Sequence, residues 1–411
     1  MNLNKQMKPT RWSYGDLLNF LELKRGHDLP LQDRRDGEYP IIGSNGVTGF
    51  HNEAISLSQG VITGRSGTLG KVYFSEKPYW PLNTSLYIVD FKGNAPKYCY
   101  YFLKHFPLEK FGTGTGVPTL NRNIVHKQKV VFPPVLEQQK IAEILSTVDK
   151  KIDLIDQKIA ETEKLKTGLM QKLFSEGVGV QDENGEWQPH TEFQYDSLLG
   201  KKPKSWQAET LGNILDIASS KRIKREEYVN EGVPFYRSKE IILKSKQLSF
   251  TPEIFISRER FDKLSGKFGS PQQGDILISA VGTIGAIYRV RDEEFYFKDG
   301  NLLWIRNIDK SRLSSEFLEC YLRSYLCQEM LANLSAGSSQ NALTIVKLSK
   351  LPLIIPTKDE QKMIVSIISS INQKIYLLKA QKSETQQLKK GLMQKLLTGE
   401  WRVPVEETEA A

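Results

Sequence analysis

Apolar residues recur at alternating steps of four and three along two stretches of the chain. In the first stretch, the positions are Ile141, Leu145, Val148, Ile152, Ile155 and Ile159. In the second stretch, the positions are Ile364, Ile368, Ile371, Ile375 and Leu378. This spacing puts one apolar stripe along a helix and is typical of the seam of a coiled coil. The pattern therefore predicts two long helices with these side chains on their seam.

The two helical stretches are copies of one sequence unit. Residues 168–173 read Gly-Leu-Met-Gln-Lys-Leu, and residues 391–396 read the same. Each stretch follows a proline, Pro134 or Pro356, and ends close to a glycine, as helix start and stop signals require. A duplicated chain can present two similar but unequal surfaces, which suits a target with two parts better than a single chemical step.

The repetition extends into the parts of the chain that precede each helix. The turn at residues 67–70 matches the turn at 282–285, and short apolar runs bounded by Gly, Asn or Pro predict strands in both copies. Aromatic and aliphatic residues at helical spacing predict a helical stretch at 315–334, with 96–106 as its shorter partner. We therefore predict an α+β fold class: two tandem α+β domains, each followed by a long helix.

The same features place the expected domain boundaries. The segment between the two copies is rich in Gly, Asp, Glu, Asn, Gln and Pro, which is typical of a surface linker. The predicted order is a first globular domain at 1–135, a first helix at 136–176, a linker at 177–200, a second globular domain at 201–355, a second helix at 356–400 and a tail at 401–411.

Charge and composition narrow the class of function. The formal net charge of +9 favours a polyanionic partner such as DNA or RNA, although many basic proteins bind neither. The sequence starts without an apolar segment, and no apolar run approaches the roughly 20 residues that span a bilayer, so we expect a cytoplasmic location. The three cysteines form no close pair and the five histidines no zinc-binding motif, so we expect neither disulfides nor a metal site.

Catalytic motifs are absent from the sequence. Residues 64–71 resemble a phosphate-binding loop, but five residues instead of four separate the glycines, and Val72 stands where Ser or Thr is required. A tight turn between strands explains these glycines better. The nuclease-like Glu22-Leu23-Lys24 loses its lysine in the second copy, and the catalytic loop of amino-methyltransferases is missing. We therefore expect no catalytic residue in this chain.

Basic and small polar residues gather in the predicted loops, as in a surface that binds DNA. Arginine can bind guanine edges or phosphates with two bonds, and Ser, Asn and Gln read bases less strictly. Polar loops at 112–123 and 335–341 fit the same description. The candidate DNA contacts are Arg34, Arg35, Ser44, Asn45, Arg65 and Ser66 in the first domain. In the second domain they are Lys221, Arg222, Lys224, Arg225, Arg237 and Ser238.

The order of these units resembles the specificity subunit of type I restriction-modification systems, the HsdS family, over nearly the whole chain. The resemblance is sharpest in the Pro-x3-Glu-Gln entry to each helix, which ends in Glu137-Gln138 and in Glu360-Gln361, and in the two identical helix ends. Weaker matches are the Pro-x-x-Trp starts, Pro9 with Trp12 and Pro203 with Trp206, and the paired Gly-Thr-aliphatic-Gly turns.

The resemblance implies that each globular domain is a target recognition domain reading half of a bipartite DNA site. It implies that the helices form an antiparallel coiled coil with internal pseudo-two-fold symmetry, whose residues space the domains or dock subunits. The implied partners are two methyltransferase (M) subunits and restriction (R) subunits. This chain would bind no cofactor, and S-adenosylmethionine, ATP and Mg would belong to the partner subunits.

Three alternatives remain open at this stage. The chain could be an enzyme whose site follows none of the motifs above, and it would then turn over substrate without added partners. The chain could be the specificity component of a related fused or two-subunit restriction enzyme, in which the same architecture serves another cutting module. It could also be a coiled-coil scaffold that binds protein without DNA specificity, and such a scaffold would show no salt-dependent DNA affinity.

Overall fold

The computed structural model describes residues 11–114, 116–335 and 342–405 of the 411-residue chain. Pro9, the loop residues 336–341 and the end of the predicted tail at 406–411 lie outside the described residues. The chain divides into two compact units, residues 1–157 with 379–411, and residues 158–378. The predicted α+β class is confirmed in both units.

In the described residues of the first part of the chain, eleven strands and three α-helices form. The strands are β1 Ser13–Asp16, β2 Glu22–Arg25, β3 Tyr39–Gly43, β4 Gly46–His51, β5 Gly60–Gly64, β6 Val72–Ser75, β7 Trp80–Pro81, β8 Ser85–Asp90, β9 Gly112–Thr113, β10 Thr119–Leu120 and β11 Lys129–Phe132. The helices are α1 Pro96–His105, α2 Arg122–His126 and α3 Val135–Ser175.

The first unit is built on a four-stranded antiparallel sheet in the order β2-β8-β5-β6. All five residues of β5 are buried, because this strand lies between two neighbours and is covered on both faces. A three-stranded sheet in the order β4-β3-β7 adjoins it, with β3 and β7 parallel. In the core of the first unit, strand residues such as Val61 pack with Tyr98 and Phe102 of α1 and with Ile141 and Leu145 of α3.

The remaining described chain contains fourteen strands and seven helices. The strands are β12 Val180–Gln181, β13 Trp187–Gln188, β14 Phe193–Asp196, β15 Gly200–Pro203, β16 Gln207–Thr210, β17 Asp216–Ala218, β18 Tyr228–Val229, β19 Val233–Tyr236, β20 Phe255–Ile256, β21 Ile276–Ser279, β22 Ile287–Arg289, β23 Tyr296–Phe297, β24 Leu302–Arg306 and β25 Pro352–Ile355. The helices are α4 Leu211–Ile214, α5 Ser238–Ser245, α6 Arg258–Phe268, α7 Ser315–Leu322, α8 Tyr325–Ser335, α9 Ile345–Ser349 and α10 Lys358–Leu397.

The second unit repeats the strand order of the first. Its main antiparallel sheet is β17-β24-β21-β22, and a second sheet, β18-β20-β19-β23, again contains one parallel pair, β19 with β23. The helices α5 and α6 lie between β19 and β21, in the region where the offset between the sequence copies grows. The duplication seen in the sequence is therefore a duplication of the sheet, with a larger insertion in the second copy.

Two features of the turns and helices test the sequence predictions. Gly67 and Gly70 have φ angles of 84° and 79°, a region open to glycine, so a tight turn joins β5 to β6 as predicted. The single helical stretch predicted at 315–334 is wrong in one respect, because two helices, α7 and α8, occupy it. The Ser324 hydroxyl accepts a hydrogen bond from the Cys327 N–H at 3.3 Å and starts α8 as a cap.

The two predicted long helices are confirmed as α3 and α10. None of the predicted seam residues is exposed. Seven are buried, namely Ile141, Leu145, Ile155, Ile159, Ile364, Ile368 and Ile375. The other four are half-buried, namely Val148, Ile152, Ile371 and Leu378. The apolar stripe of each helix therefore packs against protein, as the heptad spacing predicts.

The start of α3 is anchored by a buried glutamate. The Glu137 carboxylate accepts hydrogen bonds from Trp12 Nε1 at 3.1 Å and from Arg402 Nε and Nη2, both at 2.8 Å. Burial alone would raise the pKa of Glu137, but the hydrogen bonds from Arg402 and Trp12 outweigh burial and lower it. The next residue, Gln138, accepts the Ala95 N–H at 2.9 Å and so ties α3 to the start of α1.

The second unit has the same construction at the start of α10. The Glu360 carboxylate accepts a hydrogen bond from Trp206 Nε1 at 2.7 Å and lies 3.0 Å from His190 Nε2. Gln361 accepts the Ser314 N–H at 2.9 Å, just before α7. In each unit the tryptophan of the repeated motif, Trp12 or Trp206, thus meets the glutamate of the Glu-Gln motif and holds the long helix to the sheet domain. Within the described residues, no helix is long and apolar enough to cross a membrane.

Candidate nucleic-acid interface

A basic loop connects β17 to β18 in the second unit and spans residues 219–227. The Ser220 hydroxyl donates to the Phe297 carbonyl at 2.6 Å, and the Lys221 N–H donates to the Tyr296 hydroxyl at 3.1 Å. Both partners belong to β23, which lies in the second sheet of this unit. The sheet therefore sets the position of the loop, and the charged side chains project from a supported backbone.

The four predicted cations of this loop, Lys221, Arg222, Lys224 and Arg225, are all exposed. The Lys221 ammonium lies over the Phe268 ring, 4.7 Å from its centre. Arg222, Lys224 and Arg225 line an open cavity of about 840 Å³. The structure thus brings three of the four cations together around one concave surface, and it turns Lys221 towards an aromatic ring.

Arg237 lines the same cavity but is engaged inside the protein. Its guanidinium donates to Glu240 Oε1 at 2.6 Å and to Glu253 Oε2 at 2.9 Å. These hydrogen bonds, that with Glu240 above all, raise the pKa of Arg237. Ser238 is the first residue of α5, and its hydroxyl donates to the Asn301 carbonyl at 3.3 Å. Both side chains have structural partners, and their contact with DNA stays a prediction.

In the first unit, three predicted residues meet around Thr84. The Ser44 N–H donates to the Thr84 hydroxyl at 3.3 Å, and the N–H groups of Arg65 and Ser66 donate to the Thr84 carbonyl at 2.9 and 3.1 Å. Ser44 is only 9% exposed, whereas Arg65 and Ser66 are half-buried. Arg65 and Ser66 therefore offer more side-chain surface to a ligand than Ser44 does.

The other three predicted residues of the first unit lie in the segment packed against β4 and in the turn that precedes β4. Arg34 Nη1 donates to the Thr48 carbonyl at 3.4 Å, and the Arg35 N–H donates to His51 Nδ1 at 3.1 Å. The side chains of Arg35 and Asn45 are exposed, with Asn45 in the turn between β3 and β4. These positions are open to a ligand, and their contact with DNA stays a prediction.

Sequence reasoning missed two residues of these surfaces. Thr84 organises the polar cluster of the first unit, and Lys298 lines the cavity of the second. Lys298 follows β23 directly, in the same place as Leu82 after β7 of the first unit. The run Lys298-Asp299-Gly300-Asn301 between two apolar stretches is a loop signal that could have pointed to Lys298.

The long helices carry exposed leucines at equivalent places in the two repeats. Leu154 and Leu377 stand 223 residues apart, as do Leu165 and Leu388, and all four are more than half exposed. Leu154 and Leu388 belong to the first unit, and Leu165 and Leu377 belong to the second. Each unit thus has one of these four repeated leucines on each helix, outside the buried stripe. Because their exposure recurs at equivalent positions of the two repeats, these leucines are candidates for a repeated contact surface.

Ion pairs join α3 to α10 within the first unit. Lys389 pairs with Asp149, which also accepts the Tyr101 hydroxyl at 2.8 Å, and Lys382 pairs with Asp156 at 2.6 Å. Burial lowers the pKa of Lys389. Because the partner in α10 moves back seven residues as the position in α3 advances seven, these segments run antiparallel.

The two predicted polar loops both contain residues outside the described part of the chain. The polar loop at 112–123 includes residue 115, and the loop at 335–341 consists mostly of residues 336–341, all of which lie outside the described residues. In the described ranges, no group of three or more His, Cys, Asp or Glu side chains could hold a metal ion.

Known proteins resemble this chain across both repeats. Residues 9–164 and 203–387 match the family model described as "Type I restriction modification DNA specificity domain". The type I restriction enzyme MjaVIII specificity subunit of Methanocaldococcus jannaschii is 24% identical over 414 residues, which cover 95% of this chain and 92% of that protein. The MjaIX specificity subunit of the same organism is 25% identical over 344 residues, covering 82% of this chain and 76% of that protein.

Two solved structures show a similar fold. The S subunit of a type I restriction-modification system from M. genitalium has a TM-score of 0.58 at 20% identity, covering 97% of this chain and 98% of that chain. A chain from a structure of complex assembly and conformational transition in the type I R-M system has a TM-score of 0.59 at 18% identity, covering 97% and 100%. At these identities, the likeness establishes the fold.

Proposed function

The chain belongs to the type I restriction-modification DNA specificity family, and we propose that, as the specificity subunit of such a system, it reads a bipartite DNA site with one half-site per unit. One observation carries this proposal. The two units share a strand order but differ in the polar and basic side chains that follow equivalent strands, with Ser44 and Asn45 after β3 and Arg237 and Ser238 after β19. A common scaffold with different loops suits the recognition of two different base sequences.

The two long helices would act as a coiled-coil spacer between the half-sites. The buried stripes of α3 and α10 and the antiparallel ion pairs within the first unit support such a pairing. A helix of 41 residues is about 60 Å long, at about 1.5 Å per residue, and exceeds one turn of B-DNA at about 34–36 Å. Helix length would then set the gap between half-sites, and loop identity would set the bases.

Partner subunits would supply the chemistry. The repeated leucines, Leu154 with Leu388 and Leu165 with Leu377, support two equivalent docking surfaces for two copies of a methyltransferase subunit. The methyltransferase subunits would bring S-adenosylmethionine, and restriction subunits would bring ATP and Mg. This chain would contribute recognition and assembly, without a catalytic residue of its own.

Co-expression with the methyltransferase encoded beside this chain tests the proposal. Adenine methylation is mapped by long-read sequencing in cells with both proteins and in control cells that lack this chain. We expect a new interrupted motif that appears only when the chain is present. A soluble complex of the two proteins without any methylated motif would contradict DNA recognition while leaving assembly supported. Complete absence of a complex would contradict the docking surfaces as well.

A further inference from the structure

The cavity of the second unit carries an excess of positive charge. Its cationic lining residues are Arg222, Lys224, Arg225, Arg237 and Lys298, and its acidic ones are Glu226, Glu253 and Asp299. Lys224 pairs with Glu226 at 3.6 Å, and Arg237 pairs with Glu253 at 2.9 Å. These pairs leave Arg222, Arg225 and Lys298 as cations that face a single remaining carboxylate, Asp299.

The three remaining cations are free to bind a ligand. Across the described part of the chain, the side chains of Arg222, Arg225 and Lys298 make no ion pair and no hydrogen bond. Arg222 and Arg225 are exposed and Lys298 is half-buried. Unpaired cations repel one another, so their convergence on one concave surface lowers stability unless an anion binds there. Such a cluster is typical of a site for phosphate groups.

The backbone supports these side chains from two directions. Arg222 and Arg225 belong to the basic loop that Ser220 and Lys221 tie to β23, and Lys298 directly follows β23. The Lys298 N–H donates to the Tyr236 carbonyl at 2.9 Å, which fixes its position. An anion in the cavity would therefore meet cations from two anchored segments, and little backbone conformational entropy would be lost on binding.

We propose that Arg222, Arg225 and Lys298 bind the phosphodiester backbone of duplex DNA at the rim of this cavity. The proposal rests on the proposed function and adds a division of labour, in which these residues position the second unit on DNA and other loop residues read bases. The first unit has Leu82 in the place of Lys298, so this set of three phosphate-binding cations is not repeated there.

Salt dependence of binding tests this role. The full-length chain, in complex with its methyltransferase partner, is titrated with cognate and scrambled duplex DNA at several salt concentrations. Each phosphate contact contributes about −0.9 to the slope of log affinity against log salt. We expect each of Arg222→Ala, Arg225→Ala and Lys298→Ala to reduce the steepness by about one, and the triple variant by about three. Cognate and scrambled DNA should weaken by the same factor.

Two further variants control for charge and position. Lys263→Ala removes an exposed lysine on α6 that does not line the cavity, and it should leave the slope unchanged. Asp299→Asn removes the one unpaired carboxylate of the cavity and should strengthen binding to both DNAs. Thermal melting of every variant shows whether folding is preserved, because replacing exposed or half-buried side chains that have no protein partner changes stability little.

The outcomes separate this proposal from the proposed function. A triple variant with wild-type affinity and slope would overturn the phosphate role while leaving sequence-specific binding intact. Loss of affinity for cognate DNA alone would assign these residues to base reading instead and would also overturn it. Deoxyadenosine monophosphate is the probe for a free nucleotide: if the wild type binds it, the triple variant does not, and duplex affinity stays unchanged, the cavity is a nucleotide site and the proposal fails.

Discussion

Arg237 and Arg222 carry the same charge and line the same cavity, but their surroundings give them different roles. Arg237 bonds to the buried carboxylate of Glu240 and to Glu253, whereas Arg222 extends from the loop without a protein partner among the described residues. A charged hydrogen bond to a buried group contributes to folding, and a solvated cation contributes to binding.

Replacement of Arg237 by alanine should therefore reduce the stability of the protein. The Glu240 carboxylate, 3% exposed as a residue, would lose its cation, and hydrogen bonds to charged groups contribute about 1.5–3 kcal/mol. We expect a loss of that size in the free energy of unfolding, measured by chemical denaturation. Arg222→Ala is the matched control, with an expected change within about 0.5 kcal/mol. Equal stability of the two variants would show that the Glu240 pair does not stabilise α5.

Single residues were the hardest level to predict from sequence. Arg222 and Arg225 are exposed, as the prediction of a basic surface requires. Ser44 was predicted from the same kind of polar loop signal, but it is buried. Thr84 acts through its backbone carbonyl as much as its hydroxyl, and backbone roles leave no signature in residue type. Loops that are distant in sequence come together only in the folded protein. The sequence therefore predicts that polar loops form a surface, but not which of their side chains are accessible.

At the scale of helices and sheets, the sequence predictions agree with the structure better than at the scale of single residues. The heptad spacing predicted α3 and α10 because it extends over many turns, and long periodic patterns are the most reliable signal. The helices α5 and α6 have no counterpart in the first unit, so comparison of the copies could not reveal them. The break between α7 and α8 depends on one serine cap, which periodicity overlooks. A helix cap and an insertion therefore account for the differences between the predicted and the observed helices.

Lengthening both long helices should change the spacing of the DNA site. Seven residues inserted after Gln157 and seven after Leu378 preserve the heptad repeat, and each adds about 10.5 Å at about 1.5 Å per residue. Since base pairs stack at about 3.4 Å, we expect the gap between half-sites to grow by about three base pairs. Methylation mapping reads the motif. Altered half-site bases with an unchanged gap would contradict a spacer role for the helices.

At the scale of the whole molecule, duplication predicts the number of partners. Leu154→Glu with Leu388→Glu removes the two repeated helix leucines of the first unit and leaves those of the second, and charged side chains at an apolar contact carry a desolvation cost. We expect the methyltransferase copies per chain to fall from two to one, measured by native mass spectrometry. Leu136→Glu is the control, because Leu136 is exposed but Asp359 occupies its repeat position. Two bound copies in the double variant would exclude this surface.

The two compact units do not coincide with the two sequence repeats, and this has a consequence for a broken chain. The first unit combines residues 1–157 with 379–411, and the second contains 158–378. A single cut in the exposed turn at 183–185 would give two fragments, each of which supplies part of both units. Arg402 would still meet Glu137, and Glu360 would still meet Val178, across separate polypeptides. We therefore expect split-protein complementation: two fragments expressed separately should associate without a peptide bond between them, and co-purification of one fragment with the other measures this.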